Sequence, residues 1–207
     1  MLTLGDHSAP DTLLRITMDH LLRGDECELR VLDICHESGL STSVIYGHFR
    51  SRQGLIDAAL LAIYEEVVAS MMHHLTLAVV NTPSEGSFVQ ALYAQLVDPH
   101  NEEVVTRNRQ MHLRVSATAL ARPSFRREFL PLYSAYLRHC DRVFEGLIGD
   151  GYLSTQLSAR QWSLFFEGQM LSRAFHDIEA GWNVQGDWRQ AAEFVTTNEL
   201  SRVDPPR

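Results

Sequence analysis

The sequence predicts an all-α protein, and three features of its pattern support this. Apolar residues recur with the period of a helix between short stretches rich in Gly, Pro, Ser and Asp. No segment shows the alternating pattern of a strand. One apolar stripe is long enough to connect a small N-terminal unit with the larger remainder of the chain. This stripe consists of Ile56, Leu60, Ile63, Val67 and Met71.

The first two helices are predicted before residue 40. The second helix is short and ends at Gly39, because glycine adopts the positive φ that is common at a helix C-terminus. Both helices have an apolar face that can turn toward a core. The face of the first helix consists of Leu14, Met18, Leu21 and Leu22, and that of the second of Val31, Ile34 and Cys35.

Two serines mark the starts of the next two helices. Ser41 can cap a third helix over Thr42–Phe49, in which Ile45 lies one turn before the last residue. Ser51 can cap a fourth helix, which carries the long apolar stripe and is expected to run to about His74.

The helix order indicates two domains. A short helix, a turn that contains glycine and a second helix form the arrangement that presents a helix to the DNA major groove. We therefore expect a helix-turn-helix domain over residues 1–55. The fourth helix would join it rigidly to a larger helical domain over residues 56–207.

Composition limits the ways in which the chain can bind a nucleic acid. All 18 basic side chains are Arg, and 26 acidic side chains leave a net charge of -8. A basic surface over the whole protein is excluded, so any contact with nucleic acid must be local. Three cysteines without CxxC spacing indicate reduced thiols. Because the sequence shows neither a signal-peptide pattern nor an apolar run of membrane-spanning length, we expect a cytoplasmic protein without membrane contact.

The segment VLDICHESGLSTSVIYGHFRSRQGLI, residues 31–56, resembles the DNA-binding signature of TetR-type transcriptional repressors. The resemblance covers about residues 11–60 and includes the Gly-apolar-Ser turn, the apolar-Tyr-x-His-Phe helix and the Ser-basic-x-x-Leu helix start. It implies an N-terminal three-helix helix-turn-helix domain joined by a long helix to a helical ligand-binding and dimerisation domain. The implied function is that of a ligand-released repressor that binds an inverted-repeat operator as a homodimer.

The resemblance also implies the residues that contact double-stranded operator DNA. Thr42, Ser43 and Val44 would meet base edges at the exposed start of the recognition helix. Tyr46 and His48 would reach phosphates, and Arg52 would add a phosphate contact at the start of the fourth helix. The predicted DNA-binding residues are Ser41, Thr42, Ser43, Val44, Tyr46, His48 and Arg52.

Two features depart from the family pattern. The arm before the first helix contains Asp6 and Asp11 and no Arg, which argues against a contact of this arm with the minor groove. Gly54 stands where a helix-forming residue is usual, and we expect it to loosen the first turn of the fourth helix by up to about 1 kcal/mol relative to Ala.

A helix that includes residues 162–178 is apolar on two nearly opposite sides, which predicts burial on both. One side, which contains Trp162, Phe166 and Met170, would face the core of its own chain. The other side would face a second subunit, or alternatively a packed neighbour within the same chain. The predicted dimer interface consists of Leu164, Gly168, Leu171, Phe175 and Ile178.

A small apolar or aromatic ligand is the other predicted partner. Large apolar and amphipathic side chains occur on several segments that could surround one cavity, although simple core packing explains any single one of them as well. His112 and Gln169 would supply polar contacts. The predicted ligand-binding residues are Phe88, Tyr93, Met111, His112, Tyr136, Trp162, Phe166, Gln169 and Met170.

An enzyme is the less favoured interpretation. The ten histidines occur without HExxH or the Glu-x-x-His pattern of di-iron bundles, and the sequence contains no GxSxG, P-loop or GxGxxG. We therefore expect no catalytic residues, no metal and no cofactor. The stronger alternative is a TetR-like helical dimer that acts as a ligand sensor or protein-binding module with little affinity for DNA.

Overall fold

The helices of the computed structural model follow the predicted order. The structure describes residues 8–24, 26–80, 102–151, 153 and 156–176, and these residues form seven α-helices and no strand. The all-α prediction is therefore confirmed. The helices are α1 (Ala9–Arg23), α2 (Val31–Ser38), α3 (Thr42–Phe49), α4 (Arg52–Val80), α5 (Glu102–Ala121), α6 (Pro123–Gly149) and α7 (Ala159–His176).

The first three helices form a small unit around the start of α4. α1 begins at the N-cap residue Ser8, whose hydroxyl accepts a hydrogen bond from the backbone N–H of Asp11. Its buried face is turned slightly from the predicted one, because Leu14 and Leu22 are only partly buried. The fully buried positions of α1 are Leu13, Ile16, Thr17, Met18 and Leu21.

The turn between α2 and α3 has the predicted backbone. Gly39 has φ 69° and ends α2 in the left-handed region, as its position suggested. Ser41 precedes α3, but its hydroxyl makes no capping bond to the helix backbone. Its Oγ lies instead 2.7 Å from Oγ of Ser43, so the predicted capping role of Ser41 is wrong although α3 has the predicted bounds.

The geometry of the turn between α3 and α4 explains why residue 54 is a glycine. Ser51 accepts a hydrogen bond from the backbone N–H of Gly54 at 2.9 Å, which is the predicted cap. A Cβ at Gly54 would lie 2.1 Å from the carbonyl oxygen of Phe49, closer than any real contact. The expectation that Gly54 only loosens the helix is therefore wrong, because this close approach of two backbone segments requires glycine.

Gly54→Ala is expected to lower the free energy of unfolding by about 1–3 kcal/mol, because the added methyl group must displace the α3–α4 turn. Helix propensity alone would predict that the same substitution raises the free energy of unfolding by about 1 kcal/mol. Gly47→Ala is the matched control, since a Cβ at this helical glycine of α3 meets no atom within 4 Å. Urea unfolding followed by circular dichroism measures both variants, and a stabilised Gly54→Ala protein would contradict the account.

α4 carries the apolar stripe from the N-terminal unit into the rest of the protein. It packs against α1 and α3 near its start and against α5 and α6 farther along. The helix extends to Val80, beyond the predicted end near His74. Its 29 residues correspond to about 43 Å at 1.5 Å per residue, so one continuous element spans most of the protein.

The last three described helices pack on one another and on α4. α7 buries one side against α5 and α6, and its buried residues include Trp162, Phe166 and Met170 as predicted. Buried polar residues also lie on this side, among them Ser163, Glu167 and Arg173. In the described parts of the chain, no helix combines the length and apolar character needed to cross a membrane.

Candidate DNA-binding surface and buried polar cluster

The exposed face of α3 is polar and free of acidic residues. Ile45 is fully buried and anchors the helix to the core, and Val44 is partly buried beside it. Residues 38–54 contain no Asp or Glu in a chain whose net charge is -8. A polyanion that approaches this face therefore meets no negative side chain on α3 that would repel it. The exposed side chains of this face are Ser41, Thr42, Ser43, Tyr46 and His48.

Arg52 begins α4 as predicted, but its guanidinium is bonded within the chain. Its Nε donates a hydrogen bond to the carbonyl oxygen of Leu29 at 3.0 Å, and its Nη2 donates to the carbonyl oxygen of Glu26. The guanidinium thereby holds the loop before α2 against the start of α4. Arg50 is exposed at the end of α3 with φ 65°. Its exposure makes Arg50 the more accessible cation of this turn, a feature that the sequence did not reveal.

Two arginines near the C-terminal half of α5 connect it with the N-terminal unit. Nη1 of Arg114 donates to the carbonyl oxygens of Leu21 and Gly24, at 2.9 and 3.2 Å. Nη1 of Arg122, just after α5, lies 2.8 Å from Oδ1 of Asp57 on α4. α5 is therefore bonded directly to the C-terminal end of α1, which the sequence pattern gave no means of predicting.

Six of the nine predicted ligand-binding residues are buried in the same part of the fold. They are Met111, His112, Tyr136, Trp162, Phe166 and Met170. Gln169 is only partly buried, and Phe88 and Tyr93 lie outside the described residues. The ring of Tyr136 lies 5.8 Å from that of His112, and that of Phe166 lies 6.1 Å from that of Phe144, between ring centroids.

The polar centre of this region contains two residues that were not predicted. Nε2 of His112 lies 2.9 Å from Oε1 of Glu167, and both side chains are almost completely buried. The ring of Tyr64 lies 5.3 Å from that of His112, between centroids. Tyr64 and Glu167 lie on helices whose buried positions are mostly apolar. The sequence pattern therefore did not indicate that a polar group would be buried there. We define the buried polar cluster as Tyr64, His112, Tyr136 and Glu167.

Each member of the buried polar cluster has a polar atom without a hydrogen-bond partner among the described residues. These atoms are the Tyr64 and Tyr136 hydroxyls, His112 Nδ1 and Glu167 Oε2. A buried polar atom left unpaired costs about 1–3 kcal/mol, and native proteins contain few of them. Four within one cluster make it the candidate ligand site of this structure.

The tyrosine hydroxyls of the cluster stay protonated. Burial raises the pKa of Tyr64 above its usual value, and the negative charge of Glu167 raises it further. Burial raises the pKa of Tyr136 in the same way, with Glu167 again adding to it. Tyr136 also lies near the thiol of Cys140, a weak hydrogen-bonding group. Both hydroxyls can therefore donate a hydrogen bond as well as accept one.

One groove borders the cluster. Tyr64 and Tyr136 line this groove of about 320 Å³ between α4 and α6, together with apolar residues and the side chains of Glu65, His139 and Arg142. Phe166 and Met170 line a separate apolar cavity of about 30 Å³ with residues of α4 and α5.

The outward side of α7 is apolar and open. Leu164 is 52% exposed and Phe175 is 58% exposed, while Leu171 is partly buried. A Cβ at Gly168 would meet no atom within 4 Å, so another helix can approach closely there. Four of the five predicted interface residues thus lie on α7, and Ile178 lies outside the described residues.

The same arrangement of helices occurs in solved structures of TetR-family regulators. A putative TetR-family regulator from Mesorhizobium loti superposes with a TM-score of 0.66 at 16% identity, over 93% of this chain and 95% of the other. A TetR-family regulator from Pectobacterium atrosepticum gives 0.64 at 19% identity, over 95% of each chain. The chain has the TetR-family fold.

Another protein with this TetR-family fold was solved with a ligand. It is a putative transcriptional regulator from Saccharomonospora viridis in complex with choline, which superposes with a TM-score of 0.63 at 15% identity, over 90% of this chain and 94% of the other. No protein-family model and no curated protein sequence matches this chain. At these low identities the similarity establishes the TetR-family fold, and function must be argued from the chain's own residues.

Proposed function

We propose that the protein is a DNA-binding transcriptional regulator, a ligand-released repressor that binds an inverted-repeat operator as a homodimer. The observation that carries this proposal is the acid-free, exposed face of α3, which stands out in an acidic chain with the TetR-family fold. The solved structures add support, because the proteins from Mesorhizobium loti and Pectobacterium atrosepticum that share this fold are described as TetR-family transcriptional regulators.

In the proposed complex α3 enters the major groove. Thr42, Ser43 and Val44 at its start meet base edges, and Ser41 lies beside them. Tyr46 and His48 on the same exposed face contact phosphates, which fix the position of the helix but do not read sequence. The anchoring of α3 by the buried Ile45 keeps this face rigid.

The proposed homodimer forms through the outward side of α7. Exposed Leu164 and Phe175 supply apolar area, and open Gly168 permits close packing of two helices. A twofold dimer presents the same surface twice, which suits an inverted-repeat operator because each half-site then meets an identical α3.

Ligand control is proposed to act through the buried polar cluster. The cluster takes side chains from α4, α5, α6 and α7, so a molecule bound there changes the packing of all four helices. α4 leads directly to α3, and Arg114 of α5 is bonded to the end of α1. Both connections link the proposed ligand site with the DNA-binding unit.

Arg50→Gln is expected to weaken binding to operator and unrelated DNA alike and to reduce the slope of log affinity against log salt by about 1, because one phosphate contact is lost. Arg52→Gln is the matched comparison and is expected mainly to lower stability, since two backbone carbonyls lose their donor. A reduced salt slope for Arg52→Gln alone would instead support the phosphate contact that the sequence predicted for Arg52.

His48→Ala is expected to weaken binding to operator and unrelated duplexes by the same factor, because a phosphate contact carries no sequence information. Fluorescence anisotropy titrations of both duplexes measure this factor. The control is Ser43→Ala, which should weaken operator binding more than binding to unrelated DNA. Loss of operator binding alone in His48→Ala would place His48 at a base edge.

A ligand sensor or protein-binding module with little DNA affinity is the second candidate function. Two observations favour it: the net charge of -8 and the engagement of the Arg52 guanidinium by backbone carbonyls. The two functions differ in the salt-dependent binding of duplex DNA, which the sensor lacks.

A further inference from the structure

The buried polar cluster shows which chemical class of ligand the proposed regulator accepts, and this inference rests on the proposed function. We infer that the ligand is a small uncharged aromatic molecule with a hydrogen-bond donor, of the kind that a phenol represents. The inference follows from the types of unpaired atom, the charge of the cluster and the side chains around it.

The unpaired atoms specify hydrogen bonds in both directions. Glu167 Oε2 can only accept a hydrogen bond. The hydroxyl of Tyr64 can either donate or accept one. A hydroxyl group on a ligand satisfies this set, because it donates to the carboxylate and accepts from a neighbouring N–H or O–H group.

The charge of the cluster favours an uncharged ligand. Nε2 of His112 lies 2.9 Å from one oxygen of the Glu167 carboxylate. The other oxygen therefore needs a hydrogen-bond donor from the ligand and does not need a second positive charge. An anionic ligand would place a second negative charge beside Glu167 within a buried site, which is strongly unfavourable. A cationic ligand would satisfy Glu167 but could not accept a hydrogen bond from the Tyr64 hydroxyl.

Aromatic rings surround the cluster. The ring of Phe129 lies 4.8 Å from that of Tyr64, edge to face, and the ring of Tyr133 lies 6.5 Å from that of Tyr136, between centroids. Flat aromatic walls accommodate a flat aromatic ring in offset or edge-to-face packing. Tyr64 and Tyr136 themselves line the groove between α4 and α6.

The test compares four probes on the full-length protein by isothermal titration calorimetry. Phenol is expected to bind at least about tenfold more tightly than toluene, which has the same ring size but no hydroxyl group. Benzoate and choline are expected to show no binding at concentrations that saturate with phenol. Equal affinities for phenol and toluene, or binding of benzoate or choline in place of phenol, would overturn the inference.

Tyr64→Phe separates a ligand contact from simple packing. Removal of the unpaired hydroxyl is expected to raise the Tm of the unliganded protein while weakening phenol binding about tenfold. Tyr133→Phe is the matched control, because Tyr133 is stacked on Phe129 in the same aromatic group but its hydroxyl is not among the unpaired buried atoms. A lower Tm for unliganded Tyr64→Phe would show that this hydroxyl already has a partner, such as a bound water, and would contradict the inference.

Failure of this inference can be told apart from failure of the proposed function. DNA binding is measured on the unliganded protein, without any probe. Operator binding together with equal phenol and toluene affinities would retain the regulator and reject the ligand class. Selective phenol binding without operator binding would retain the ligand class and support a sensor instead.

Discussion

Gly168→Trp is expected to convert the proposed dimer into a monomer and to weaken operator binding by roughly 100-fold or more. The indole fills the space that the helix of the second subunit needs, because a side chain at Gly168 points away from its own chain. A monomer carries one α3 instead of two and loses the gain that simultaneous binding of two half-sites gives. Sedimentation velocity measures the first effect and anisotropy the second.

Gly146→Trp is the matched control for this substitution. Gly146 is an exposed helical glycine of α6, and a Cβ there also meets no atom within 4 Å. This variant should therefore remain dimeric and keep its operator affinity. A dimeric Gly168→Trp protein would remove the outward side of α7 from the interface.

Phenol and operator DNA are expected to weaken each other's binding by roughly 5- to 150-fold, a coupling of about 1–3 kcal/mol. The two α3 helices of a dimer must lie about 34–36 Å apart to enter successive major grooves, and a small swing of α4 changes this distance. The described part of α4 continues without Pro from Arg52 to Val80, so motion at the cluster reaches the DNA-binding unit.

Arg114→Met tests how this coupling reaches α1. The substitution keeps an unbranched apolar chain but removes the hydrogen bonds to Leu21 and Gly24, and we expect it to reduce the coupling. Arg126→Met is the control, because the Arg126 guanidinium bonds to the carbonyls of Ala119 and Leu120 at the end of α5 itself. Phenol affinity is measured with and without operator bound. Equal phenol affinities in the wild-type protein would show that the two sites are uncoupled.

The N-terminal unit was predictable because local signals determine it. Gly39 has the backbone that only a few residues adopt easily, and apolar spacing and turn residues were sufficient to place α3 at Thr42–Phe49. Side-chain partners were less predictable. Arg52 bonds to carbonyls of a loop more than twenty residues earlier in the chain, and no local pattern encodes such a contact.

Gly54 shows why propensity alone misleads. A helix-propensity scale treats this glycine as destabilising relative to alanine. The close approach of the Phe49 carbonyl oxygen nevertheless makes glycine necessary at this position. The burial of large side chains in the proposed ligand region, such as Trp162 and Phe166, was predictable from the helical spacing of apolar residues. The pairing of His112 with Glu167 depends on the packing of α5 against α7, which the sequence does not reveal.

The exposed face of α3 is proposed to read DNA sequence, and a titration with two duplexes tests this proposal. Fluorescence anisotropy of the unliganded protein compares a duplex from upstream of its own coding region with an unrelated duplex, at one physiological salt concentration. We predict that the affinity for the upstream duplex is higher by about a thousandfold or more, and that Ser43→Ala lowers this ratio by about tenfold. Equal, weak affinity for both duplexes would contradict the account.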